Sequence, residues 1–175
     1  MNFAKSAKAI IWKGEKMSKV ITFSRFFPKY HPKAGQPTYF VEKLLSSINY
    51  KYYDEDRQFN PRLSVDSFEP KHHTIRNGNR WKVGDKFSPR VWSGKPYNSK
   101  QIIICPDIEI KQVFNFTKDL ISDKWYVNGV EMSSAERIDL AQNDGLLYKD
   151  LLDWFQKPFN GQIICWSDAV SYGFR

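Results

Sequence analysis

The chain has 175 residues, and its 27 Lys and Arg residues outnumber its 19 Asp and Glu residues, which gives a formal net charge of +8. The length is that of one ordinary domain, and an aromatic content of 16% is too high for a disordered chain. No segment approaches the roughly 18 consecutive apolar residues of a membrane-spanning helix, and the apolar run at 10–12 is too short for a secretory signal. We therefore expect a folded cytoplasmic protein with no membrane partner.

The first part of the chain predicts one strand, one helix and a long excursion. Residues 1–17 are basic and have no clear period, so we interpret them as an extension outside the fold. Residues 19–27 are rich in β-branched and aromatic side chains, which predicts a strand. Apolar residues within 38–48 recur with helical spacing, and Thr38 is a suitable N-cap. The polar segment 49–70, with its two prolines, predicts a long excursion.

The second part predicts short strands and two helices. Strands are expected at 73–76, 83–92, 100–105, 108–116 and 162–166. An Asn-Gly pair within 125–132 fits the two-residue turn of a hairpin. The spacing of Ser133 and Glu136 is that of a capping box, so a helix is expected to start there and to run to about residue 142. Apolar residues at helical spacing predict another helix over 147–155.

Many short strands, few helices and no regular alternation of the two indicate an α+β fold, mostly β. We expect a small β-barrel with about three helices packed against it, in a single domain that covers 18–175 and carries 49–70 as an insertion. Cys105 and Cys165 each end an apolar run, so we interpret them as buried strand residues and not as a disulfide. No zinc spacing, phosphate loop or dinucleotide motif occurs, so we expect neither a metal nor a cofactor.

Positive charge is concentrated in the first part of the chain. Residues 1–100 contain 20 basic and 8 acidic side chains, whereas 101–175 contain 7 basic and 11 acidic ones. The densest segment is 71–95, where aromatic residues alternate with cations around a single acid, Asp85. Cations that hold phosphates and rings that stack on bases are typical of RNA-binding surfaces. The alternative is that the rings point into the core while the cations are merely solvated.

The segment 71–85 reads Lys-His-His-Thr-Ile-Arg, then Asn-Gly-Asn-Arg-Trp-Lys, then Val-Gly-Asp. A later segment, 140–155, has an acid-Gly pair ahead of a helix that ends near aromatic residues. Together with the opening strand at 20–23, these motifs resemble the ASCH domain, a family of the PUA-like β-barrel group. The resemblance covers most of 19–166. It implies a PUA-like fold with a cleft between the barrel and the helices.

The resemblance also implies a function. The presumed role of the family is RNA or nucleotide binding, and some small bacterial members are amidohydrolases that deacetylate N(4)-acetylcytidine. Those hydrolases use a Lys, a Thr three residues later and a distant acid, which correspond by position to Lys71, Thr74 and Asp144. The acid is Asp in this chain where the hydrolases have Glu. Contacts to nucleic acid or phosphate are expected from Arg76, Arg80, Lys82, His73 and Trp81.

Elementary chemistry restricts how these residues can act. In a strand, Lys71 and Thr74 point to opposite faces, so they converge only if the chain bends at or before His72, which Pro70 permits. A lysine shielded from water has a lowered pKa and can act as a base on the Thr74 hydroxyl or on a water molecule. Asp144 could orient that lysine, protonate a leaving amine or simply cap the helix that follows it.

Four functions stay open at this point. The favoured one is recognition of RNA, a nucleotide or a modified nucleoside in a basic cleft. The first alternative is an amidohydrolase that uses Lys71, Thr74 and Asp144. The others are a ribonuclease that uses the Lys and Arg cluster, and an interaction module whose basic face meets an acidic protein.

Overall fold

Two β-sheets and three helices form the part of the chain that the computed structural model describes, which is 18–50, 67–119 and 121–172. The expected extension at 1–17 and residues 51–66 of the expected excursion lie outside that part. The elements are β1 Lys19–Thr22, α1 Phe40–Ser47, β2 His73–Asn77, β3 Lys86–Trp92, β4 Gln101–Ile103, β5 Ile108–Glu109, β6 Gln112–Lys118, β7 Trp125–Val127, β8 Val130–Glu131, α2 Ser134–Asn143, α3 Tyr148–Trp154 and β9 Phe159–Cys165. The predicted α+β class, mostly β, is confirmed.

The strands pair in two separate groups. In the first sheet β1 runs parallel to β3, and β3 pairs antiparallel with β4 and β5. The second sheet has the order β2-β9-β6-β7-β8 and is antiparallel throughout. No closed barrel arises from these pairings among the described residues, so the fold is confirmed at the level of its class.

One predicted strand divides between the two sheets. Within the expected strand 108–116, β5 pairs with β3 of the first sheet, whereas β6 pairs with β9 of the second. The change occurs at Ile110, whose N–H donates to the Asp85 carbonyl at 2.8 Å, and Lys111, whose N–H donates to the Cys165 carbonyl at 2.8 Å. A run of apolar residues indicates burial, but it does not indicate where a strand changes its pairing partner. The sequence therefore predicts one strand here.

The opening strand is shorter than predicted. β1 ends at Thr22, and the chain leaves the sheet after Phe23, whose N–H still donates to the Arg90 carbonyl of β3 at 2.8 Å. Phe23 and Phe27 are nonetheless buried, the first against Trp166 at a ring centroid distance of 6.0 Å and the second against Trp154 at 5.8 Å. Their β-like composition therefore reflects packing against aromatic neighbours, which is the main content of β propensity.

Short-range signals are the most accurate part of the sequence prediction. The hairpin turn between β7 and β8 has Asn128 at φ 50 and Gly129 at φ 82, the two left-handed positions that the turn requires. The capping box is complete, because the Ser133 hydroxyl accepts from the Glu136 N–H and the Glu136 carboxylate accepts from the Ser133 N–H. Thr38 acts one residue earlier than a standard N-cap, since its hydroxyl accepts from the Phe40 N–H at 3.3 Å.

β2 forms one edge of the second sheet, and the candidate site lies at its start. The N–H of His72 donates to the carbonyl of Asn143 at the end of α2, at 2.8 Å. Cys105 and Cys165 are both buried free thiols, but the predicted strand position holds only for Cys165, the last residue of β9, because Cys105 lies between β4 and β5. None of the helices in the described ranges has the length and apolar character needed to cross a membrane.

Candidate functional site

Lys71 lies two residues before β2 and is almost completely buried. Its side chain is 1% exposed, and its N–H donates to the carbonyl of Lys43 in α1 at 2.9 Å instead of joining the β2 ladder. Its ammonium lies 4.3 Å from the ring centroid of Phe40, also in α1. Helix α1 therefore closes one side of this lysine and offers the cation an aromatic ring.

The partner of Lys71 is Asp144, 73 residues further along the chain. The ammonium donates to Oδ1 of Asp144 at 2.6 Å and also to the backbone carbonyl of the same residue. Asp144 is the C-cap of α2, whereas the N-cap of α3 is Leu147. The alternative that Asp144 caps the following helix is therefore wrong, because its carboxylate is engaged with Lys71.

A Schellman motif ends α2 and holds the acid in place. The N–H of Gly145 donates to the carbonyl of Gln142, and the N–H of Leu146 donates to the carbonyl of Ala141, both at 2.9 Å. Gly145 has φ +76, in the left-handed region. Its carbonyl accepts from Lys43 Nζ at 2.6 Å, so the end of α2 is tied to α1.

His73 joins the pair through a chain of polar side chains. Its Nδ1 lies 3.4 Å from Oδ1 of Asp144, and its Nε2 lies 2.8 Å from the hydroxyl of Tyr172. Asn143 Nδ2 donates to that hydroxyl at 3.0 Å. Nδ1 of His73 is buried and has no hydrogen-bond partner among the described residues, so His73 lies against the carboxylate of Asp144 at the distance of a loose contact.

Burial determines how these groups titrate. Burial lowers the pKa of Lys71 to about 8, against the charge and the hydrogen bond of Asp144, which raise it. Burial raises the pKa of Asp144, but the charge of Lys71 and the contact with His73 outweigh it and leave the pKa below its ordinary value. Burial also lowers the pKa of His73, so that its ring is neutral near pH 7. The neutral amine of Lys71 thus becomes available near pH 8.

Thr74 is not joined to this pair. It is 6% exposed and lies in β2 opposite Ile164 of β9. Since neighbouring residues in a strand point to opposite faces, its side chain leaves β2 on the face away from His73. The hydrogen bonds of Lys71 Nζ within the described residues go to Asp144 and not to Thr74. The structure therefore brings together two of the three predicted catalytic residues.

Arg76 lies on the same face of β2 as Thr74 and is anchored between the sheets. Its Nη2 donates to the carbonyl of Thr22 at 2.6 Å, and its guanidinium lies 5.7 Å from the ring centroid of Phe23. Its Nε is buried and has no hydrogen-bond partner in the described ranges. Burial lowers the pKa of Arg76, and the charge of Asp144 opposes this effect. The charge of Arg76 thus interacts with that of Asp144, and the Nε–H of Arg76 is an unused hydrogen-bond donor within the described ranges.

The other expected nucleic-acid contacts divide between surface and core. Arg80 and Lys82 are exposed, as a phosphate contact requires. Trp81 is 2% exposed and packs against Phe87 at a centroid distance of 6.4 Å, so no base can reach its ring. His73 is 0% exposed. The expected nucleic-acid roles of Trp81 and His73 are therefore corrected: both side chains are buried, the first against Phe87 and the second beside Asp144.

The sequence analysis does not identify the residues that surround the pair. They are Phe40, Lys43, Asn143 and Tyr172. Tyr172 is 99 residues from His73, a separation at which no spacing rule applies. Asn143 carries the one usable signal, because it stands next to the predicted acid.

Neither a metal centre nor a relative accompanies this geometry. Across 18–50, 67–119 and 121–172, no three His, Cys, Asp or Glu side chains gather in a group that could hold a metal ion. Comparisons with protein families, with curated proteins and with solved structures found no match.

Proposed function

We propose that this protein is an ASCH-type domain with a PUA-like fold that hydrolyses the amide of an N-acylated cytidine, such as N(4)-acetylcytidine. One observation carries the proposal. Lys71 and Asp144, which correspond by position to the lysine and the acid of the similar hydrolases, meet as a buried pair at 2.6 Å. The shorter Asp side chain still reaches the ammonium, because the carbonyl of Asp144 lies against it as well.

The proposed reaction adds water across the acyl amide. Lys71 is 1% exposed, so the site has to open before the substrate and a water molecule can reach it. In its neutral form, Lys71 then takes a proton from the attacking water, whose oxygen bonds to the acyl carbon. The bond from that carbon to the exocyclic nitrogen breaks, and the nitrogen leaves with the proton that Lys71 accepted. The products are acetic acid and cytidine, and Lys71 is again neutral. Asp144 is a positioning residue in this scheme, since it fixes where the amine lies.

Hydrolysis of N(4)-acetylcytidine, with chromatographic detection of cytidine, tests the proposal. We expect turnover by the wild type, with kcat/KM rising as the pH passes about 8, the pKa of Lys71, because only the neutral amine accepts a proton. Lys71→Met should lower kcat/KM by about 100- to 10,000-fold, the usual contribution of a general base.

Two further variants separate lost chemistry from lost folding. Lys71→Met alone leaves Asp144 buried without its partner, which typically costs about 3–5 kcal/mol of stability. The double variant Lys71→Met/Asp144→Asn removes both charges at similar size and should fold but stay inactive. Lys157→Met changes an exposed lysine that belongs to neither candidate surface and should keep full activity. Turnover by the folded double variant, or none by folded wild type, would reject the proposal.

A second function, RNA binding without chemistry, is favoured by the surface around Arg80 and Lys82. Residues 71–84 contain no acid. The nearest one, Asp85, forms an ion pair with Lys19 at 2.6 Å and accepts from the Lys82 N–H at 3.1 Å. No described carboxylate forms an ion pair with the side chains of Arg80 or Lys82. If the protein bound RNA tightly but neither deacetylated nor cleaved it, the result would support RNA binding in place of hydrolysis.

A further inference from the structure

The loop between β3 and β4 presents a tyrosine to solvent. Tyr97 is 87% exposed, and its ring centroid lies 5.3 Å from that of Trp92 at an interplanar angle of 49°. Trp92 is the last residue of β3 and is half-buried. A ring of this size, left in water beside a second ring, offers the kind of surface on which an unpaired base stacks.

Hydrogen bonds hold this loop in one conformation. The Ser99 hydroxyl accepts from the Gly94 N–H at 3.0 Å and donates to the Lys95 carbonyl at 2.9 Å. Tyr97 itself has φ 65, in the left-handed region that bulky residues rarely adopt. The backbone beneath the ring is therefore tied by hydrogen bonds, and a loop that is already ordered lowers the entropic cost of binding a ligand.

The charged residues of β3, β4 and the loop between them are all cations. Arg90 lies two residues before Trp92, so both side chains leave the same face of β3. The guanidinium of Arg90 donates to Ser88 Oγ and to Gln101 Oε1, both at 3.2 Å, and to no described carboxylate. Between residues 86 and 106 the chain has no acid and four cations, namely Lys86, Arg90, Lys95 and Lys100. A polyanion is attracted to such a surface.

The same surface is linked to the candidate active site through β2. The Nη2 of Arg76 donates to the Thr22 carbonyl at 2.6 Å, and Thr22 of β1 is paired with Arg90 of β3. Arg76 belongs to β2, which begins two residues after Lys71. β2 therefore connects the strand that carries Arg90 with the segment that carries Lys71.

We infer that the surface around the β3–β4 loop binds single-stranded RNA. This surface, here named the hairpin platform, consists of Tyr97, Trp92, Arg90, Lys95 and Lys100. An unpaired base stacks on Tyr97, and the neighbouring phosphates lie against the cations. A duplex is excluded from this mode because its bases are already stacked. The inference rests on the proposed function and narrows its substrate to an acylated cytidine within an RNA strand.

Fluorescence anisotropy with a labelled 10-nucleotide single-stranded RNA, and with the duplex of the same sequence, tests the platform. Tyr97→Asn is the best variant, because Asn tolerates the left-handed backbone while it removes the ring. We expect it to weaken single-strand binding about 10- to 100-fold, the usual effect of one stacked base, and to weaken duplex binding far less. Tyr97→Phe keeps the ring and should bind like the wild type.

Tyr30→Asn is the matched control, because Tyr30 is another exposed tyrosine, at 56%, and lies beside α3, where its hydroxyl donates to the Trp154 carbonyl. It should bind both RNAs like the wild type. Equal single-strand affinities of Tyr97→Asn and the wild type would overturn the inference. So would an equal loss for single strand and duplex, or binding to anionic lipid vesicles that is tighter than binding to RNA.

The two proposals fail in different ways. If the wild type hydrolyses N(4)-acetylcytidine while Tyr97→Asn binds single-stranded RNA as well as the wild type does, the platform alone is wrong. If folded wild type hydrolyses neither the nucleoside nor an acetylated oligonucleotide, while Tyr97→Asn loses single-strand binding, hydrolysis is wrong and the platform stands.

Discussion

A lysine as deeply buried as Lys71 makes stability depend on pH. Its pKa is about 8 in the folded protein, because burial favours the neutral amine, whereas its ordinary value is 10.5. Between these two values the unfolded chain binds more protons than the folded chain, so the free energy of unfolding rises with pH. We predict a rise of about 3 kcal/mol from pH 8 to pH 10.5, relative to Lys71→Met/Asp144→Asn. Urea unfolding followed by tryptophan fluorescence at several pH values measures it.

The double variant is the reference because it lacks both titrating groups of the pair. Lys157→Met provides the control for the removal of a lysine as such, and its curve should follow that of the wild type. The difference in the free energy of unfolding between the wild type and the double variant should rise across this pH window. A difference that stays constant or falls would show that burial does not lower the pKa of Lys71.

At the residue scale, two positions in one basic segment show what the sequence could predict. Trp81 and Tyr97 both lie among cations in the sequence, and composition alone predicts for both of them that the ring stacks on a base. Trp81 is enclosed because the chain after β2 folds its ring against Phe87, whereas Tyr97 lies in a loop that nothing among the described residues covers. Which ring is covered depends on how the sheets pack, and that information is not local to the segment.

At the element scale, the turn from α2 to α3 positions the acid, and Gly145 is its critical residue. A Cβ there would lie 3.1 Å from Lys43 Cδ and 3.4 Å from Lys71 Cβ, at φ +76. We predict that Gly145→Ala lowers the free energy of unfolding by about 2 kcal/mol, because a left-handed backbone disfavours any side chain. It should also lower kcat/KM, since Lys43, which ties the end of α2 to α1 beside Lys71, has to move. Urea unfolding and the hydrolysis assay measure the two effects.

Gly35→Ala is a close control for this substitution. Gly35 has the same φ of +76, and a Cβ there would have nothing within 4 Å. Its loss of stability should be similar, whereas kcat/KM should stay at the wild-type value. If Gly145→Ala also kept the wild-type kcat/KM, the turn would matter for folding and not for the site.

Elements are predictable from sequence where a few adjacent residues decide them. The capping box and the Asn128–Gly129 turn depend on atoms within four residues of one another, and both form as predicted. The segment 108–116 and the shortened β1 differ from prediction because the partner strand decides them. β2 and β3 are close in sequence yet lie in different sheets, which no periodicity indicates.

Over the whole molecule, acids late in the chain neutralise lysines that come early. Asp144 pairs with buried Lys71 at 2.6 Å, and Asp150 pairs with Lys33 at 2.7 Å. These ion pairs use acids from the second part of the chain at helices α2 and α3. The cations of the β3–β4 region receive no such acids from the described residues. The uneven charge that the sequence shows thus becomes a positive surface at the hairpin platform.

That surface predicts how RNA affinity responds to salt. If Arg80, Arg90, Lys95 and Lys100 each contact a phosphate of a single strand, the logarithm of the binding constant should fall with the logarithm of salt concentration at a slope of about −3. Raising salt from about 50 to about 200 mM should then weaken binding about 50-fold. Hydrolysis of free N(4)-acetylcytidine should not change over that range, because the nucleoside carries no phosphate.

Anisotropy titrations at four salt concentrations measure the slope, and two double variants locate its origin. Lys95→Ser/Lys100→Ser should make the slope shallower by about 1.4, because two phosphate contacts are lost. Lys149→Ser/Lys157→Ser removes two exposed lysines near α3, one of them already paired with Asp153 at 2.8 Å, and should leave the slope unchanged. Equal slopes for the two double variants would mean that RNA responds to the net charge of +8 and not to the hairpin platform.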